Sequence, residues 1–217
     1  MELPVKNRKA AGLALAEALQ EYKRRDDVIV LGLPRGGVPV AAEVANALGA
    51  ELDLMLVRKL GTPGQRELAM GAIASGGSRV MNQDVVRTLN ISEEDISRVE
   101  NAERNELQRR EQAYRGKRPW PALAGRSVIL VDDGLATGAT MRAAVDAVRQ
   151  DGPSHIVVAV PVAPADTLGM LRKQVDNVVC LAVPEHFRAI GLWYVDFSQV
   201  SDDEVRRSLE RAWHESR

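Results

Sequence analysis

Five short apolar runs limit what this chain can fold into: Val28–Leu33, Leu52–Val57, Val128–Val131, Ile156–Val160 and Val178–Val183. None alternates with polar residues along its length, so each reads as a strand buried on both faces rather than one. Stretches at helical spacing separate them. Residues 7–24 carry Ala10, Leu13, Ala14 and Ala18 on one face and end in Lys23, Arg24 and Arg25, where cations suit a helix C-terminus. Val38–Leu48 is Ala-rich, with Gly49 placed as a C-cap. Gly138–Arg149 and Ala165–Lys173 read the same way. Strands that alternate with helices predict a parallel α/β sheet with helices on its faces.

Two segments fall outside this alternation. Residues 61–77 are punctuated by Gly61, Gly64, Gly71, Gly76 and Gly77, which predicts a loose stretch with a short strand at Leu68–Ala74. Ser92–Arg115 is rich in Glu and Arg; Ser92 with Asp95 forms a capping box, and the run makes a helix of about 33 Å. Its apolar stripe (Ile96, Val99, Ala102, Leu107) is thin, as on a solvated surface helix. Only 4% of residues are aromatic, so the core must be aliphatic, yet Phe187, Trp193, Tyr194, Phe197 and Trp213 gather after Pro184. The expected organisation is a core over 1–183, with the charged helix at about 92–115 inserted in it, and a small hood or tail over 184–217.

Lys plus Arg (29) and Asp plus Glu (30) nearly cancel. A global basic field is absent, which argues against nucleic acid as partner. The opening MELPVKNRKA has no signal-peptide core, and no apolar run approaches the roughly 18 residues of a membrane span. A cytoplasmic protein without a membrane partner is expected. The lone Cys180 has apolar neighbours and is expected buried. His155, His186 and His214 lack metal-ligand spacing.

Chemistry is expected at VDDGLATGAT, Val131–Thr140. Two carboxylates stand directly behind a buried strand and ahead of a small, uncharged loop that opens a helix. Unpaired N–H groups at a helix start make an anion site. Acids beside it would repel a bare phosphate but accept hydrogen bonds from vicinal hydroxyls, so together the two halves suit a sugar phosphate. No Lys follows Gly138, and no GxGxxG follows any strand, which disfavours a P-loop and a dinucleotide site. Two further loops at strand ends, Pro34–Arg35–Gly36–Gly37 and Arg58–Lys59–Leu60–Gly61, offer cations and glycines for a second anionic group. A hydrolase acting on a sugar phosphate has no evident nucleophile: there is no G-x-S-x-G elbow, and Cys180 sits mid-strand.

The stretch VILVDDGLATGAT, Val128–Thr140, resembles the phosphoribosyl-pyrophosphate (PRPP) signature of type I phosphoribosyltransferases, and the likeness extends over most of the chain from Val28. The resemblance implies a parallel sheet core with a hood, and transfer of the 5-phosphoribosyl group of PRPP to a ring nitrogen of a nitrogenous base, with Mg²⁺. It gives Asp132 and Asp133 the ribose hydroxyls and, through PRPP or water, the metal. It gives Ala136, Thr137, Gly138, Ala139 and Thr140 the 5-phosphate. Arg35, Gly36, Gly37 and Lys59 take the pyrophosphate, in a loop that in this family is often built on a cis peptide. Arg58 and Lys59, with the stretch to Gly77, occupy the place of the family's mobile catalytic loop. PEHFRAIGLWYVDF, Pro184–Phe197, resembles the hood of the purine-salvage branch, with Trp193 and Asp196 as candidates beside the base. Ala136 departs from the 6-oxopurine branch, which places there an Asp that handles the base proton. Hypoxanthine and guanine are therefore disfavoured, and the acceptor stays open. The resemblance also implies a homodimer. A regulatory module of the same fold, reading PRPP or nucleotides with little turnover, is the alternative.

Overall fold

A computed structural model describes residues 3–215. Asn7 caps the first helix, α1 (Arg8–Ala18), its side chain accepting from the Ala10 amide at 3.0 Å. The helix stops earlier than its apolar spacing suggests and passes into a 3₁₀ turn over Gln20–Tyr22. Then come β1 (Val28–Gly32), α2 (Gly37–Leu48), closed by Gly49 at φ 69°, and β2 (Glu51–Leu54). A second group follows: β3 (Val57–Thr62), β4 (Gln65–Ala74), β5 (Arg79–Met81), α3 (Gln83–Thr88) and α4 (Glu93–Arg115). The chain then returns through β6 (Ser127–Val131), α5 (Ala139–Gln150), β7 (His155–Val162), α6 (Ala165–Leu171) and β8 (Asn177–Ala182), and ends in α7 (Asp202–Glu215).

The main sheet has five strands in the order β2-β1-β6-β7-β8, all parallel. The continuous apolar runs follow from burial on both faces. Val28 and Val30 of β1, Ile129 and Val131 of β6, and Val157 and Ala159 of β7 face a core shared with α1, α2, α4 and α7. Ile29, Leu31, Val128, Leu130, Val158 and Val160 face the opposite core, against α5 and α6. β8 is the edge strand, and every residue of it is half-buried. Cys180 therefore sits half-buried too, rather than in the interior, its thiol donating to the Ala182 carbonyl.

Two expected elements change. The run Leu52–Val57 does not continue as one strand. It breaks at Met55, whose amide donates to Gly32, and Leu56, whose carbonyl accepts from Ser75; Val57 begins a different sheet. Residues 57–81 form an antiparallel three-stranded sheet, β3-β4-β5, where a loose stretch is expected from the glycines. Two of those glycines serve close backbone approach: a Cβ on Gly61 would lie 2.5 Å from the Arg66 carbonyl, and one on Gly71 2.5 Å from that of Val80. Leu60, Met70 and Ile73 anchor this sheet in the first core.

Ser92 caps α4, its hydroxyl accepting from the Asp95 amide and donating to the Asp95 carboxylate. Ile96 and Leu107 are buried, with Val99 packed behind them. The last turn also buries a charge. Arg115 enters the core and meets Asp53 of β2 at 3.0 Å, the two side chains 4% and 0% exposed. The tail from Pro184 crosses the C-terminal edge of the sheet, pairs with the chain start (Val5 amide to Trp193 carbonyl, 2.8 Å) and ends on α2, α4 and β2 through α7.

Candidate active site

β1 and β6 lie side by side, so the loops leaving their C-terminal ends meet, the usual place for a ligand on an open parallel sheet. The Leu33 amide donates to the Val131 carbonyl at 2.9 Å and extends the pairing to the start of both loops. The Pro34–Arg35 peptide that follows is cis. Gly36 and Gly37 then press on the acids. A Cβ on Gly36 would lie 1.9 Å from Asp133 Oδ2, and one on Gly37 2.6 Å from the Val131 carbonyl and 2.8 Å from Asp132 Cα. Backbone cannot yield as a flexible side chain can. Gly37→Ala is therefore expected to destabilise the fold by about 1–3 kcal/mol, as overpacking does, read as a lowered urea midpoint; an unshifted midpoint would show that this approach relaxes freely.

The acids hold a fixed arrangement. Asp132 Oδ1 accepts from the Asp133 amide at 2.8 Å, and Asp133 Oδ2 accepts from Arg8 Nε at 2.8 Å. The Tyr194 hydroxyl donates to the Asp133 carbonyl at 2.6 Å. Burial, and then the neighbouring Asp133, push Asp132 well above the usual carboxylate range. Burial also raises Asp133, with Arg8 opposing. Burial likewise lifts the Tyr194 phenol, so it remains a donor.

Beyond the acids, the loop is shaped from behind. The Leu135 amide donates to the Val162 carbonyl, and the Thr167 hydroxyl of α6 donates to the Ala136 carbonyl at 2.6 Å. Gly138 takes φ 69°, and a Cβ there would lie 2.6 Å from Thr167 Cγ2. This anchoring leaves Ala136, Thr137, Ala139 and Thr140 exposed at the start of α5, where the first amides of a helix have no intrahelical acceptor. The result is an open helix start beside two carboxylates.

Of the residues singled out in the sequence, the fold brings Arg35–Gly36–Gly37 and Asp132–Thr140 together. Arg35 is half-exposed, 3.9 Å from Asp202. Arg58 and Lys59 contact neither acid. Arg58 Nε donates to Glu103 of α4 at 2.7 Å, and Lys59 Nζ meets Glu67 across the β3–β4 hairpin at 3.1 Å. Trp193 ends a 3₁₀ turn, its indole N–H buried without a partner among the described residues. Asp196 is exposed and accepts from the Ser198 amide. Arg8 and the Tyr194 hydroxyl are residues the sequence does not disclose. No local motif marks Arg8, which lies 125 residues from its partner. A cleft of about 330 Å³ is bounded by Arg8, Arg35, Gly36, Asp133, Phe197 and Gln199.

The chain is similar to known proteins over most of its length. The family described as phosphoribosyl transferase domain matches residues 5–198. A relative from Mycobacterium tuberculosis (strain ATCC 25618 / H37Rv), named "Putative phosphoribosyl transferase Rv0571c", is 48% identical over 202 residues, covering 93% of this chain and 45% of the relative. The chain thus spans about half the length of the curated relatives it matches. Among solved structures, TT1426 from Thermus thermophilus is 45% identical with a TM-score of 0.86, covering 95% of this chain and 98% of that one. The AQ2163 protein from Aquifex aeolicus, at 14% identity and a TM-score of 0.52 over 85% of this chain and 78% of that one, shares the fold alone.

Proposed function

This chain belongs to the phosphoribosyl transferase domain family, and from that premise we propose that it transfers the 5-phosphoribosyl group of PRPP to a ring nitrogen of a nitrogenous base, releasing pyrophosphate in an Mg²⁺-dependent reaction. One observation carries the proposal. The Gly36–Gly37 loop, the Asp132–Asp133 pair and the open start of α5 share one edge of the sheet, in the order that a pyrophosphate, a ribose and a 5-phosphate require.

In this reading the amides and hydroxyls of residues 137–140 hold the 5-phosphate, with Ala136 clearing its approach. Asp132 and Asp133 accept from the ribose hydroxyls and fix the ring as positive charge develops at its anomeric carbon. Arg35, with the amides of Gly36 and Gly37, holds the pyrophosphate. Lys59 joins them by leaving Glu67, a pair too exposed to hold it strongly, with Arg58 fastening the hairpin to α4. The donor set suits Mg²⁺ held mainly by substrate oxygens: two adjacent carboxylates are too few for an all-protein cage, and no cluster of three acids, His or Cys occurs among the described residues. Asp132 and Asp133 would hold the ion through PRPP or water, and it would neutralise the leaving group. Trp193 and Asp196 flank the base in this proposal. The exposed methyl of Ala136 can neither give nor take a base proton, so acceptors other than 6-oxopurines are favoured. We further propose a homodimer working in the cytoplasm; no helix among the described residues is long and apolar enough to cross a membrane.

Calorimetry with PRPP and Mg²⁺, followed by a pyrophosphate-release assay over adenine, uracil, orotate, hypoxanthine and guanine, tests this. Binding is expected, with pyrophosphate released for at least one acceptor outside the 6-oxopurines. Absence of binding overturns the proposal. Binding without release from any acceptor replaces transfer with a PRPP-sensing role for the same site.

A further inference from the structure

We propose that Arg8 is the positioning residue of the site: it sets the carboxylate of Asp133 for the ribose and fastens the C-terminal tail to that grip. The inference rests on the PRPP reading above and adds a residue from the start of the chain to it.

The guanidinium is held from three directions. Nε donates to Asp133 Oδ2 at 2.8 Å, Nη1 donates to the Ser198 carbonyl at 2.8 Å, and the group lies 4.1 Å from the centre of the Phe197 ring. Arg8 and Asp133 side chains are only 12% and 11% exposed, so this is no fluctuating surface pair. The backbone prepares the placement. Val5 and Lys6 pair with residues 193–196, and Asn7 then caps α1, which puts Arg8 in the first turn against the tail. The same tail reaches the acid a second time, through the Tyr194 hydroxyl on the Asp133 carbonyl.

The consequence for Asp133 is geometric. One oxygen, Oδ2, is occupied by Arg8 and pressed on its other side by the Gly36 position. The plane of the carboxylate is therefore set before a ligand arrives, which leaves its remaining lone pairs for the hydroxyls. A carboxylate already oriented does not lose that freedom on binding, and such preorganisation strengthens a site without a new ligand contact. Lysine is a poor substitute, because one ammonium on a flexible stem cannot donate along two fixed directions and stack on a ring at once.

The test is calorimetric titration of Mg²⁺ and PRPP into the wild type, Arg8→Gln, Arg8→Lys and Phe197→Leu, each confirmed folded by circular dichroism. Arg8→Gln is expected to bind about 10- to 100-fold more weakly, as loss of a charged hydrogen bond does. Arg8→Lys should recover part of that loss. Phe197→Leu, which keeps the cation but removes the ring holding it, should weaken binding by a smaller factor in the same direction. Arg8→Gln binding as tightly as wild type, or more tightly, overturns the proposal, and so does Arg8→Lys binding as tightly as wild type, since a single flexible ammonium would then serve as well as the fixed guanidinium. If Arg8→Gln does not fold, wild-type affinity in Phe197→Leu overturns it instead. A wild type that binds no PRPP overturns the ligand assignment and this inference with it, and the wild-type arm alone reports that result.

Discussion

Asp132→Asn together with Asp133→Asn should remove Mg²⁺-dependent PRPP binding, weakening it by more than about 100-fold, while the protein stays folded. Asp133 is buried and Asp132 half-buried, and burial raises both carboxyls above their ordinary value, with Arg8 opposing at Asp133. An Asn side chain has nearly the shape of Asp, and its carbonyl oxygen at 133 can still accept from Arg8. In the proposed complex, by contrast, the ribose hydroxyls need acceptors from both acids. An amide offers one acceptor and two donors where a carboxylate offers two acceptors, so half of the contacts become donor facing donor. The cation carried with PRPP also loses its countercharge. Calorimetry reads the affinity, and a urea midpoint close to wild type confirms that the fold survives. Undiminished affinity in the folded double variant would remove these residues from the ribose site.

That junction was legible because its signals are local. Strand, acids and helix start lie in one run, Val128–Thr140, and each has its own physical signature. The strands β1, β6 and β7 are legible for a similar reason, since burial on both faces excludes polar residues from either. Legibility fails where tertiary pairing decides. Glycines at 61, 64, 71 and 76 mark turns and loops in most sequences, but here Gly61 and Gly71 let neighbouring strands approach. The run Leu52–Val57 has no internal punctuation, and its break at Met55 exists only because the Gly32 carbonyl and the Ser75 amide take the next backbone groups. Arg8 stands within a charged, unremarkable stretch, Lys6-Asn7-Arg8-Lys9, and only the fold shows which of its cations is buried against an acid. Arg115 is a similar case: on paper it is one more charge of a Glu/Arg helix, and in the fold it is inside.

Arg115→Met should accordingly be the most destabilising single change at a surface-like sequence position, lowering stability near neutral pH by about 3–5 kcal/mol, as breaking a buried ion pair does. Arg115 donates from Nε to Asp53 Oδ1, from Nη2 to the Leu54 carbonyl and from Nη1 to Glu111, with Nη2 also 3.0 Å from Asp53 Oδ1 and the guanidinium 5.1 Å from the Trp120 ring. Methionine fills similar space and keeps the apolar packing, but leaves Asp53 fully buried without its ion-pair partner, with the Leu54 amide still donating to it. The pH dependence separates this cause from a packing defect. Burial raises Asp53 above its ordinary value, with Arg115 pulling it back. A carboxyl whose folded pKa lies above its unfolded one binds a proton on folding, so stability rises as pH falls from the folded pKa to the unfolded pKa. Without Arg115 the folded value climbs further and that window widens upward. Urea denaturation at a series of pH values should therefore show the gap between Arg115→Met and wild type closing as pH falls from neutrality toward the carboxylate range. A gap that stays constant would place the loss in packing. Replacing both partners, Asp53→Leu with Arg115→Met, should recover most of the stability at pH 7, because an apolar pair leaves no charge to desolvate.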